Sequence, residues 1–223
     1  MFGELNANGY GQNALYYDLE FENILAGIIH CYYDIVNAGV SLVNKENDIR
    51  DVFLKEYLKK HQFKVKYGLQ DYLFDFELPE NTGRIDIRVM PINPFLNDDA
   101  YYVIECKRLN AVNQKGTTGL NAEYITEGML RFVGQKYSCY YRVNGMIGFI
   151  TDFIDIDDNI KLMNHLLTSS FINSNTKHQI TFRPLAQNFA HSYLSVHDCN
   201  GEDISLYHLM FDVSRNIRKK SLG

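Results

Sequence analysis

The segment GRIDIRVMPINPFLNDDAYYVIECKR, residues 83–108, gathers the side chains best suited to chemistry in this chain: the carboxylates of Asp86 and Glu105 and the ammonium of Lys107. Asp86 alternates with Ile85 and Ile87, the pattern of a strand with an acid on one face and aliphatics on the other. Glu105 and Lys107 are two residues apart on a second strand, so both project from one face while Cys106 points away. Antiparallel partners sit symmetrically about their turn. Residues 86 and 105 are centred on position 95.5 and the polar connection Pro91 to Asp99 on position 95, so the two carboxylates should lie nearly opposite one another, close enough to share a cation. Adjacent carboxylates repel and shift each other's pKa unless a cation or Lys107 offsets them. Mg²⁺ suits such a pair, because it takes oxygen ligands in octahedral geometry and keeps waters and phosphate oxygens in its shell; Mn²⁺ accepts the same donors. A cation there lowers the pKa of a bound water and stabilises charge on a phosphodiester under attack, with Lys107 placed to orient the water or neutralise the transition state.

Presenting these groups requires a hairpin of strands at 84–90 and 100–107. Upstream, residues 71–78 alternate around Asp75 and Glu77 and read as a strand, with another at 63–67 beyond the break at Gly68. Two helices come earlier still: one over about 14–38, ended by Gly39, and one over NKENDIRDVFLKEYLKKH, with acids in its first turn and Lys59, Lys60 and His61 in its last. Downstream of the polar stretch NAVNQKGTTGLN, AEYITEGMLRFVGQKYS reads as a helix and GMIGFITD as a short buried strand. DIDDNIKLMNHLLTSSF reads as a helix N-capped by Asp155 or Asp157, and NFAHSYLSV and DISLYHLMFDV as a hairpin over about 189–212. Helices and strands mix throughout, which predicts an α/β fold. No repeat or Pro/Gly/Ser-rich linker divides the chain, so residues 1–223 read as one domain with the first helix and the last hairpin as additions.

Composition bounds the reading. The chain is 46% hydrophobic with a net charge of −5, so a polyanion site must be a local patch and a loose nucleic-acid coat is excluded. The four cysteines form no CxxC pair, which argues against a zinc ribbon or a disulfide framework and for a reducing cytoplasm. The start MFGELNANGYGQN lacks the basic and apolar parts of a secretory signal, and no apolar run approaches the roughly 18 to 20 residues of a membrane span. A cytoplasmic protein with no membrane partner is expected.

At Asp86 and at Glu105-Cys106-Lys107 the sequence resembles the PD-(D/E)xK nuclease superfamily, whose motif is an Asp on one strand and Glu-x-Lys on the next. YVIECKRL looks like the metal-binding strand of restriction-endonuclease-like domains, and the likeness is best over residues 44–151; Ile85 stands where the family has Pro. The resemblance implies a central mixed β-sheet flanked by helices and a Mg²⁺-dependent nuclease, with DNA as the expected substrate. It implies Asp86, Glu105 and the Cys106 backbone carbonyl as metal ligands and Lys107 as the catalytic base or water-orienting group. It also implies an acid on the helix before the sheet, for which Glu46 is the choice and Glu56 the competitor, since at 100° per residue Glu56 shares a stripe with Ile49, Val52 and Phe53. Arg131, Gln135 and Lys136, on the helix after the motif, would contact phosphate. Many such nucleases act as dimers, and a surplus of tyrosine would serve a homodimer interface.

Plainer readings stand beside these. Asp86 and Glu105 would equally serve cross-strand ion pairs with Arg84, Arg88 or Lys107, and Glu46 the helix dipole. A restriction-endonuclease-like domain that no longer cleaves, acting in nucleic-acid binding or assembly, is the alternative function. His191, His197 and Cys199 superficially resemble a zinc set but lack a second ligand pair. No P-loop, dinucleotide fingerprint or G-x-S-x-G elbow occurs.

Overall fold

The computed structural model describes residues 10–80, 83–92, 100–137 and 139–218. It is α/β: seven strands form one mixed sheet with helices on its faces. Helix α1 spans Tyr10–Asn37 and ends at Gly39, whose φ of +61° gives the left-handed C-terminal turn. Helix α2 (Glu46–Asp51) runs on as a π-helical stretch, Val52–Leu58. Helix α3 (His61–Lys66) occupies the stretch expected to be a strand at 63–67. The helix wins there because its one-turn spacing brings Phe63 and Tyr67 together at 4.7 Å and lets Phe63 meet Tyr57.

Strands β1 (Tyr72–Glu80), β2 (Gly83–Pro91) and β3 (Tyr102–Leu109) follow as an antiparallel meander. Most of the turn between β2 and β3 lies outside the described residues. Helix α4 (Leu120–Tyr124), a second π stretch (Ile125–Met129) and helix α5 (Leu130–Val133) then cross over to β4 (Val143–Ile150), which pairs parallel to β3. Helix α6 (Ile156–Ser169) is N-capped by Asp155, whose carboxylate accepts the Asp158 N–H at 2.9 Å.

Strand β5 (Thr176–Phe182) is not among the strands expected from the sequence, because its side chains are mostly exposed and so carry little apolar alternation. Strands β6 (Ser192–Cys199) and β7 (Glu202–Asp212) form the expected hairpin. Its turn is Asn200-Gly201, with φ of +57° and +87°, the left-handed pair that tight hairpins favour. Strand β7 inserts beside β4 and parallel to it, so the hairpin extends the same sheet, in the order β1-β2-β3-β4-β7-β6-β5. One core cluster joins α1 and α2 to the sheet face carrying Ile104 and Cys106. The other joins α4, α5 and α6 to the opposite face, where Val103 and Met146 sit.

Among the described residues no helix is long and apolar enough to cross a membrane.

Candidate active site

Among the described residues the β2–β3 ladder ends at Ile87↔Ile104. One step further the same register sets Asp86 opposite Glu105, as the symmetry of the connection predicts, but there the strands part. The edge of β3 facing the gap is satisfied by carboxylates instead of a strand. Asp86 Oδ2 accepts the Cys106 N–H at 2.8 Å, and Glu46 Oε2 accepts the Arg108 N–H at 3.0 Å. Glu46 reaches this edge because it opens α2, where an acid also suits the helix dipole.

Lys107 occupies the middle of this arrangement. Its Nζ lies 2.6 Å from Glu105 Oε1, 3.0 Å from the Cys106 carbonyl oxygen and 3.5 Å from Glu46 Oε1. Those are three of the four ligand groups expected for a metal. The fourth, Asp86, turns toward α2, where its Oδ1 receives Arg50 Nη1 at 3.0 Å. Arg50 is fully buried and is also held by Asp51 at 2.8 Å.

Glu105 is almost completely enclosed. Its Oε1 also accepts Arg131 Nη1 at 3.0 Å. The Tyr137 hydroxyl, which accepts from the same Arg131 nitrogen at 2.7 Å, stands 2.8 Å from Glu105 Oε2 and 2.9 Å from the Arg84 carbonyl, to which its one proton is shared. Burial first, and then the Asp86 charge, push the Glu105 carboxyl up to about 7, against the pull of Lys107 and Arg131. Burial alone would lower Lys107, but the charges of Glu105, Glu46 and Asp86 outweigh it and hold the ammonium above the ordinary lysine value. The cluster is therefore electrostatically anchored around Lys107.

Glu105, Glu46 and the Cys106 carbonyl thus converge on Lys107, while Asp86 binds Arg50 and the Cys106 N–H beside them. Arg131 joins them as a partner of Glu105, bound also to Glu127 at 3.2 Å. Past Arg131 the helix ends at Val133, Gly134 follows it, and Gln135 takes a φ of +54°, so Gln135 no longer lies on a helical face. Gln135 lines a pocket with Tyr137, Cys139, Arg142 and Glu202. Glu56 points to solvent, 3.6 Å from Lys60. The π stretch explains this, because i→i+5 bonding widens the turn and brings Leu58, instead of Glu56, round to the Ile49 and Phe53 stripe.

Arg50 and Tyr137 are site residues that the sequence does not single out. Arg50 did leave a signal: it lies four residues after Glu46, on the face that carries Ile49 and Phe53, where an unpaired charge would be costly. Tyr137 left none, being one tyrosine among 16.

The oxygens of Asp86, Glu105, Glu46 and Cys106 are chemically the hard donor set of Mg²⁺ or Mn²⁺. Every carboxylate oxygen in the set already accepts from a protein donor. Among the described residues no group of three or more His, Cys, Asp or Glu is arranged to hold a metal ion; the position is filled by the protein's own ammonium. No protein-family model, curated protein or solved structure matches the chain.

Proposed function

We propose that the protein is a divalent-metal-dependent nuclease that hydrolyses phosphodiester bonds in DNA, built on a restriction-endonuclease-like core. The observation that carries this reading is the seat of the Lys107 ammonium among oxygens of Glu105, Cys106 and Glu46. Oxygens from three separate points gathered around one positive charge are the surroundings a hard cation requires. Bound there, Mg²⁺ or Mn²⁺ would supply a water of lowered pKa and stabilise charge on the phosphoryl oxygens.

The remaining work belongs to the chain. Arg50 fixes the rotamer of Asp86, while Arg131 and Tyr137 fix Glu105. Lys107, released from the cradle, is the group that donates to the attacking water or to the developing negative charge. The acid on β2, the Glu-x-Lys on β3 and the acid opening α2 agree with the superfamily pattern.

The closed hydrogen bonding favours a second reading, a domain of the same fold that binds nucleic acid or protein without cleaving. In it Lys107 is a permanent replacement for the metal. Incubation with plasmid DNA, linear DNA and RNA in Mg²⁺ or Mn²⁺ separates the two. Cleavage that disappears with EDTA and in Lys107→Ala is the outcome expected of the nuclease. Absence of cleavage on every substrate, with no metal-induced rise in melting temperature, establishes the non-cleaving module instead.

A further inference from the structure

We infer that a groove at the carboxyl ends of β3, β4 and β7 binds a single-stranded nucleic-acid segment; the inference deepens the nuclease reading and rests on it for the nature of the ligand. The groove has a volume of about 590 Å³ and is lined by Thr151, Asp152, Phe153, Ser214, Arg215 and Arg218. Parallel strands leave such crevices at their carboxyl ends. Here the strand ends are tied together, since the Thr151 N–H donates to the Leu109 carbonyl at 2.9 Å and the Val213 N–H to the Ile150 carbonyl at 3.0 Å.

The chemistry of the lining selects the ligand. Phe153 is 87% exposed, the most exposed of the large hydrophobic side chains among the described residues, and offers a ring face with no stabilising role in either core cluster. Exposed Arg215 and Arg218 stand on the same groove against a single carboxylate, Asp152, so its charge is net positive in a chain whose total is −5. Guanidinium groups pair with phosphate oxygens, and a free aromatic face stacks on an unpaired base. A duplex hides its base faces inside the helical stack, so the single strand is the form that uses both features.

The wall of the groove is tied to the segment that leads to Glu46. The Arg218 N–H donates to the Leu42 carbonyl at 2.9 Å, and Arg218 Nε donates to Ser41 Oγ at 2.9 Å, tying the groove to the segment that leads into α2. On that segment Arg108 Nη1 donates to the Asn44 carbonyl at 3.0 Å, beside Glu46. A strand held at Phe153 and the two arginines would continue past Arg108 to Lys107 and Glu105.

The test is fluorescence anisotropy of the full chain with a labelled oligothymidylate of about 12 nucleotides and with a duplex of the same length, in EDTA. The single strand should bind more tightly than the duplex. Phe153→Ala should weaken it about tenfold and Phe153→Tyr should restore it. Arg215→Gln with Arg218→Gln should lower the slope of affinity against salt by roughly two phosphate contacts. All three positions are exposed, so unchanged melting temperatures verify folding. Equal affinity in Phe153→Ala, a duplex that binds as well as the single strand, or displacement by polyglutamate as effective as by unlabelled DNA overturns the assignment. Because the measurement needs no metal, metal-dependent cleavage with an inert groove refutes this inference alone, and Phe153-dependent binding without cleavage refutes the nuclease reading alone.

Discussion

Glu105 and His208 project from one face of the same sheet, two strands apart with Met146 between them, and each anchors a buried polar cluster of opposite character. Around Glu105 the partners are charged: Lys107, Arg131, Glu46, and on the far side Asp86 with Arg50. Around His208 they are neutral, and the direction of every proton can be deduced. The Ser174 carbonyl only accepts, so His197 donates to it from Nδ1 at 2.9 Å and must accept from Ser195 through Nε2 at 2.8 Å. Ser195 Oγ then accepts from His208 Nε2 at 2.8 Å, and His208 Nδ1 accepts the Tyr124 hydroxyl at 2.9 Å. Burial holds His197 down at about 4 and His208 at about 3, keeping both neutral at ordinary pH. A neutral relay that runs from hydroxyl to carbonyl is complete without a ligand and pins β6, β7 and α4 together. A charged cluster with a cation at its centre has a place that another cation can take.

The comparison breaks first at Arg50. Removing one partner of a buried ion pair leaves the other charge uncompensated, so Arg50→Met should destabilise the protein by about 3–5 kcal/mol in urea unfolding. Adding Asp86→Asn should recover much of that loss, since the orphaned charge then disappears. Equal stability of Arg50→Met and wild type would show that Asp86 is not held as a charge.

The neutral relay should be cheaper to cut. Ser195→Ala removes the hinge between two histidines and should cost about 1–3 kcal/mol, the range for stranding buried polar groups. Its pH dependence has a definite sign. Both imidazoles are depressed below their unfolded value near 6.5, so the unfolded chain binds more protons between that value and about 4 for His197 or about 3 for His208. Stability from the relay is complete above pH 6.5 and is lost as pH falls toward those values. His208→Gln, which keeps a donor and an acceptor but does not titrate, should flatten the urea midpoint against pH; an unchanged drop would assign the acid sensitivity elsewhere.

The charged cluster should show its pH dependence in its affinity for a cation. Glu105 sits at about 7, so a cation competes with a proton for it below that value. Mn²⁺ binding followed by electron paramagnetic resonance should strengthen about tenfold from pH 6 to pH 8, the change in the ionised fraction of such a group. A flat profile would remove Glu105 from the ligand set.

Why the two clusters were unequally legible follows from how far apart their members lie in the chain. Asp86, Glu105 and Lys107 sit within one hairpin, where strand alternation and symmetry about the turn determine who faces whom. The relay joins residues 124, 174, 195, 197 and 208, and only the placement of β7 between β4 and β6 brings them together. Periodicity cannot report that order. The helices are less legible for a local reason: two π stretches alter the angular step that the 100° wheel assumes, and a glycine follows the end of α5 just before Gln135. The mixed sheet itself was readable, because β3 and β4 carry the buried apolar runs of interior strands.

The smallest expected effect is the one that tests the π stretch. On a regular wheel Glu56 would face the core with Ile49 and Phe53, and its neutralisation would relieve a buried charge. With the wider turn it lies in solvent beside Lys60, a pair 3.6 Å apart with both side chains more than half exposed. Glu56→Gln should then shift stability by no more than about 0.5 kcal/mol, as for other surface substitutions. Glu46→Gln, by contrast, changes a carboxylate that binds both the Arg108 N–H and Lys107, so it should weaken Mn²⁺ binding while Glu56→Gln leaves it unchanged. If the two substitutions affect the metal equally, α2 does not present Glu46 alone to the site, and the widening of the helix has no part in selecting which acid serves it.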